Sequence, residues 1–255
     1  MKFSLSNGVF ARKPLEENLA LIKKIGFENV EFNMKTIRRE HEELVYEAKR
    51  LLDFYGLNCL TLHSATHYVS DEIEVPKAVY YGKVSIEFAY RLEASIMVVH
   101  SNVLRKIPDQ LRLKVVAKIF REIVPYAKDR GIKLALENLC YTARGYGKDV
   151  VELEQVLGMI GDEAMGVTLD VSHAIATGVV GSLLEKYHNQ LYNIHLSNRA
   201  HTPFVTETPF LVEFLTELQK YHYTGPLTLE LNRKCTTEDV IKTKTIIKQI
   251  LHSLD

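Results

Sequence analysis

The sequence predicts a (β/α)8 barrel, the TIM-barrel architecture, on three observations. Its 255 residues match the usual size of that fold. Apolar, strand-like runs alternate with amphipathic helical patterns eight times along the chain. Six metal-ligand-type residues stand at the ends of successive apolar runs, 37, 37, 33, 25 and 35 residues apart. A strand, a helix and two short loops occupy about 30 residues.

The expected strands are Lys2–Leu5, Asn29–Phe32, Asn58–Leu62, Ser95–Val99, Lys133–Leu136, Met165–Leu169, Gln190–Ile194 and Pro226–Leu229. The expected helices are Pro14–Ile25, His41–Tyr55, Pro76–Leu92, Pro108–Asp129, Asp149–Ile160, Ser182–Tyr187, Thr208–Tyr221 and Thr237–Leu254. Punctuation supports each boundary. Pro14, Pro76, Pro108 and Pro209 fall near helix starts, where a missing N–H costs nothing. Gly26, Gly56, Gly131, Gly161 and Gly225 follow helix ends, where a left-handed cap is expected. In the third helix Val79, Val84, Phe88 and Leu92 form the inward stripe. No Pro/Gly/Ser-rich linker divides the chain, so one domain over residues 1–255 is expected.

The six strand-end residues are His63, His100, Glu137, Asp170, His195 and Glu230. They also bear on topology. In an open sheet ordered sequentially, the third and eighth strands would lie roughly 24 Å apart. Metal–ligand bonds are about 2 Å, so no ion could be shared. A closed barrel gathers every strand end around one mouth, where such folds hold their active sites.

Composition excludes several classes. The chain is 46% apolar and 25% charged, as ordinary globular proteins are. Lys+Arg and Asp+Glu both number 32, giving no general basic charge for nucleic acid. The three cysteines, Cys59, Cys140 and Cys235, do not form a disulfide framework. No apolar run reaches the ~18–20 residues of a membrane span, and because Met1–Leu5 leads straight into a strand no signal peptide is expected. A reduced, cytoplasmic compartment is expected.

Glu137, Asp170, His195 and Glu230 form a mixed carboxylate and imidazole set suited to Zn²⁺, Mn²⁺, Co²⁺ or Mg²⁺. Each has a plainer reading; Asp170, before Val-Ser-His, can simply cap a helix. His63 and His100 extend the set and, with Glu137 bridging, can hold a second ion, or serve as buried hydrogen-bonded histidines. His173, three residues after Asp170, can reach back over the site to substrate. Arg199 and His201 follow the seventh strand and can clamp a substrate oxygen or phosphate, or serve simply as loop residues. Residues 144–148 form a Gly-containing basic loop without a phosphate-loop pattern. Cys140 lies near the proposed mouth and reads as a small packing residue, and His41, His67, His188, His222 and His252 read as surface or loop residues. The sequence has no nucleophile elbow, Cys-x-x-Cys or dinucleotide fingerprint. Oligomeric state is open, a homo-oligomer included.

Leu136-Glu137-Asn138, Asp170-Val-Ser-His173, His195-Leu and Leu229-Glu230, in that order and spacing, resemble the xylose isomerase-like barrel superfamily. The resemblance spans essentially the whole chain. That group includes sugar isomerases and epimerases and the class-two abasic-site endonucleases. In the sugar branch it implies that Glu137, Asp170, His195 and Glu230 bind one divalent metal. The metal grips a carbonyl and a neighbouring hydroxyl of an open-chain ketose and stabilises an enediolate. Glu137 and Glu230 act as two bases on opposite faces of the carbon skeleton, giving epimerisation or isomerisation of a sugar or sugar phosphate. His173 contacts a substrate hydroxyl. The endonuclease branch is the alternative, with zinc-dependent cleavage of DNA at abasic sites. It implies a three-zinc cluster: His63, His100 and Glu137 at one ion, Asp170, His195 and Glu230 at a second, and His173 and His201 at a third. Thr142–Gly147 loosely resembles the glycine-containing stretch of those enzymes. Arg199 departs from the pattern, because an Asp is expected there for the third zinc.

Overall fold

The computed structural model describes residues 1–34, 41–65, 67–143, 145–161, 163 and 165–254. Eight parallel strands, β1 (Lys2–Ser6), β2 (Asn29–Asn33), β3 (Asn58–His63), β4 (Ile96–Val99), β5 (Lys133–Glu137), β6 (Met165–Asp170), β7 (Leu191–Leu196) and β8 (Pro226–Leu229), close in sequence order. Pairing of Lys2 with Pro226 and of Leu5 with Leu229 joins β1 to β8 and seals the barrel. The closed sheet leaves no strand edge open.

Helices α1 (Leu15–Lys24), α2 (His41–Tyr55), α3 (Val75–Arg91), α4 (Asp109–Lys128), α5 (Val150–Ile160), α6 (Val171–Thr177), α7 (Val180–Tyr187), α8 (Pro209–Lys220) and α9 (Thr237–Leu254) connect the strands and follow the last one. Most boundaries fall within two residues of the expected ones. The sixth connection differs, because α6 precedes the expected helix and begins directly at β6. Asp170 makes this start, its carboxylate accepting the His173 backbone N–H at 2.7 Å.

Two local expectations are corrected. Gly225 does not supply a left-handed cap; His222, at φ 53°, does so after α8. Gly225 is instead required by close approach, since a Cβ there would lie 2.5 Å from the Tyr223 hydroxyl oxygen. In α3, Val84 is only half-buried, and the buried stripe runs through Val75, Ser85, Ile86, Phe88 and Ala89.

Strand alternation explains what the barrel contains. One set of strand residues, including Leu5, Val30, Phe32, Leu62, Met97, Leu134, Leu136, Val167, Leu169, Ile194 and Leu227, belongs to the apolar core shared with the helices. The alternate set is largely polar and just as buried: Ser4, Ser6, Glu31, Asn33, Thr61, His63, Thr168, Asp170, Asn193, His195 and Thr228. Side chains alternate faces along a strand, so this second set faces the barrel axis. Such interiors are ordinarily filled by branched aliphatic residues. This one carries hydrogen-bonding and ionisable groups up to its C-terminal mouth. Among the described residues no helix is long and apolar enough to cross a membrane.

Candidate metal centre

The inward register delivers one chelator to the mouth from each of six consecutive strands. β3 ends on His63, β5 on Glu137 and β6 on Asp170, β7 holds His195, and His100 and Glu230 follow β4 and β8 directly. The side chains form three groups, each with donor atoms within 4.8 Å of one another: His63, His100 and Glu137; Glu137, Asp170, His195 and Glu230; and Asp170, His173 and His201. Glu137 is common to the first two and Asp170 to the last two.

Glu137 is the hub. Its Oε2 lies 2.8 Å from His100 Nε2, 3.2 Å from His63 Nε2 and 3.5 Å from His195 Nδ1, and its Oε1 lies 3.4 Å from His173 Nδ1. His195 Nδ1 is also 3.1 Å from Glu230 Oε2 and 3.8 Å from Asp170 Oδ2. Ligand bonds of about 2.1 Å place neighbouring donors about 3 to 4 Å apart, and the observed spacing matches. Buried polar atoms are ordinarily hydrogen-bonded. Here both His63 ring nitrogens, Asp170 Oδ2 and His195 Nδ1 make no hydrogen bond among the described residues. Cations would satisfy Asp170 Oδ2, His195 Nδ1 and one of the two His63 nitrogens, so the donor set fits divalent metal.

Neighbouring side chains hold these donors in place. Asn138 is fully buried. Its Nδ2 donates to the Asp170 carbonyl at 3.0 Å and its Oδ1 accepts the Asp170 N–H at 2.7 Å. Asp170 serves two functions, with Oδ1 capping α6 and Oδ2 left for the cluster. The sequence's two readings of this residue are therefore compatible. His201 sits in a strained turn, with Ala200 and His201 both left-handed at φ 59° and 54°. Ser172 Oγ accepts the His201 N–H at 3.0 Å, and the Asn232 N–H donates to the His201 carbonyl at 2.8 Å. The turn brings His201 Nε2 within 3.2 Å of His173 Nε2.

The charges are interdependent. Burial opposes a cation at His195, but the carboxylates of Glu31, Glu230 and Glu137 outweigh burial and hold the imidazole well above its ordinary pKa. Burial likewise raises Glu230, and the adjacent His195 outweighs it, holding this carboxyl well below the usual range. His173 is raised too, burial being overcome by Asp170 and Glu137.

Two cavities open over the cluster. One of about 350 Å³ is lined by His100, Glu137, His173, His201 and Glu230 together with Tyr68 and Cys140. The other, about 270 Å³, meets it at His201 and Glu230 and reaches Asn33 and Arg233. Cys140 thus faces the mouth rather than a packed core. Arg199, expected to clamp substrate, is exposed on the turn before His201 and lines neither cavity. The strained turn aims His201 inward and leaves Arg199 outside. Arg144 lies outside the described residues. His67, expected in a loop, stacks on Tyr81 with ring centroids 5.4 Å apart.

Sequence reasoning missed Glu31, which is fully buried on β2 and accepts a hydrogen bond from His195 Nε2 at 2.9 Å. It stands inside its strand rather than at the end, so a strand-end criterion passes over it. The available signal was the alternation Glu31, Asn33, which matches Thr61, His63 and Asn193, His195.

A family model described as a xylose isomerase-like TIM barrel matches residues 19–253. The uncharacterized protein MJ1311 of Methanocaldococcus jannaschii is 24% identical, over 98% of this chain and 89% of its own. An 81-residue stretch is 35% identical to apurinic-apyrimidinic endonuclease 1 of Saccharomyces cerevisiae, covering 31% of this chain and 22% of that one. The crystal structure of a D-tagatose 3-epimerase-like protein superposes with a TM-score of 0.86 at 22% identity, covering 100% of this chain and 98% of that one.

Proposed function

Because the chain belongs to the xylose isomerase-like TIM-barrel family, we propose that it is a divalent-metal-dependent isomerase or epimerase of a sugar or sugar phosphate. One observation carries this reading. Glu137 and Glu230 both approach His195 Nδ1, at 3.5 and 3.1 Å, and both line the same 350 Å³ cavity. Two carboxylates at one small polar pocket are what two-base proton transfer requires. A bound divalent ion would supply electrophilic stabilisation of the negative charge that develops at a carbonyl oxygen. Glu230 lies beside His195 on the cavity wall and would take a proton from one side of the substrate carbon. Glu137 would exchange a proton on the other side of the substrate carbon. His173 and His201 line the same cavity and would hold substrate hydroxyls. The volume suits a single sugar better than a polymer.

A second reading, zinc-dependent cleavage of DNA at abasic sites, is favoured by specific observations. Three donor groups sharing Glu137 and Asp170 exceed what one ion needs, and the yeast endonuclease matches locally. Against it, the formal net charge is zero, and Arg199 stands where the resemblance expects a further Asp for the third group.

The test uses metal-loaded protein on two substrate classes. Ketoses and ketose phosphates are followed by NMR in D₂O with Mn²⁺, Co²⁺, Zn²⁺ or Mg²⁺, and a duplex with one abasic site is assayed for nicking. Solvent deuterium incorporation at a carbon next to a carbonyl, abolished by chelator, supports the first reading. Chelator-sensitive nicking without sugar turnover replaces it with the second.

A further inference from the structure

We infer that Glu31 is a positioning residue for the metal centre, fixing which nitrogen of His195 faces the cluster. The inference rests on the metal-dependent reading above. Glu31 lies on β2, which among the described residues is the only strand from β2 to β8 with no member of the three donor groups on it or directly after it. It is fully buried, as are Thr61 and His195. Its Oε2 takes two hydrogen bonds, from His195 Nε2 at 2.9 Å and from Thr61 Oγ1 at 2.9 Å.

A carboxylate accepts and cannot donate, so the proton of this contact resides on His195 Nε2. His195 then turns its other nitrogen, Nδ1, toward Glu230, Glu137 and Asp170. A histidine that binds metal through one nitrogen commonly donates the other N–H to a carboxylate, which fixes ring rotation and tautomer. Thr61 supports the arrangement by orienting Glu31 from the neighbouring strand. A purely structural explanation fits poorly. A buried ion pair seldom stabilises a fold better than apolar residues of the same volume, and barrel interiors normally hold those residues.

The experiment compares full-length wild type with Glu31→Leu and Glu31→Gln, using zinc alone as the probe. Zinc affinity is measured by chelator competition. His195 is followed by long-range ¹H–¹⁵N spectra of the zinc-loaded protein. Loss of a hydrogen bond to a metal-binding histidine typically costs 10–100-fold in metal affinity. Glu31→Leu is expected near the upper end and Glu31→Gln, which keeps an acceptor oxygen, near the lower. The protected His195 Nε2–H resonance should be present in wild type, retained in Glu31→Gln and lost in Glu31→Leu. If Glu31→Leu does not fold, Glu31→Gln decides through its affinity. Wild-type affinity, within threefold, in a folded variant overturns the positioning role and leaves the metal centre standing. A wild type that binds no zinc, Mn²⁺ or Co²⁺ overturns the metal centre itself, and the role of Glu31 with it.

Discussion

Replacing Glu137 or Glu230 with Gln isolates charge from shape. Gln is isosteric with Glu, and each site keeps one carbonyl oxygen, so packing changes little. The lost negative charge matters more at Glu137, which is 1% exposed and meets four histidine nitrogens between 2.8 and 3.5 Å. Removing a general acid or base typically costs 10²–10⁴-fold, about 2.7 to 5.4 kcal/mol of barrier. Both variants should lose turnover by at least about 100-fold. Glu137→Gln should also lose metal, because the carboxylate shared by two donor groups is gone. The assay is conversion and solvent deuterium incorporation in D₂O, with metal content measured on the same samples. If one glutamate serves each face, a single variant that retains metal still exchanges the proton on the surviving face without inverting the centre. Turnover within tenfold of wild type in both variants, with metal bound, would refute the two-base reasoning.

Three further outcomes are expected. Stripping metal with a chelator should lower the thermal midpoint: occupancy at 100 times Kd contributes about 2.7 kcal/mol, or roughly 5–10 °C for a chain of this size, read by differential scanning fluorimetry. In the metal-free protein His195 is raised, so its contribution is fully present below about pH 6.5 and lost as pH rises through its folded value. Glu230 is lowered, so its contribution is present above about pH 4.3 and lost as pH falls through its folded value. A metal must displace the His195 proton, so zinc affinity measured from pH 6 upward should increase with pH, and a flat profile would show that this proton is not displaced. Asn138→Asp removes the donor to the Asp170 carbonyl and sets oxygen against oxygen. It should cost about 1–3 kcal/mol, seen as a lower urea midpoint together with weaker metal binding.

Much of the barrel was legible in the sequence because its signals are local. Helix period, glycine and proline punctuation and apolar runs depend on neighbouring residues, and they placed most boundaries within two residues. The strand-end chelators were legible for the same reason: a polar residue closing an apolar run needs no tertiary information to be noticed. Tertiary structure decided the rest. The short helix α6 carries too few residues for a periodic signal and exists because Asp170 caps it. The separation of His201 from Arg199, two residues apart, depends on a left-handed turn held by Ser172 and Asn232 from other elements. Glu31 meets His195 from 164 positions away. Only barrel closure makes them neighbours, because hydrogen bonds act over about 3 Å while the chain between them spans four further strands.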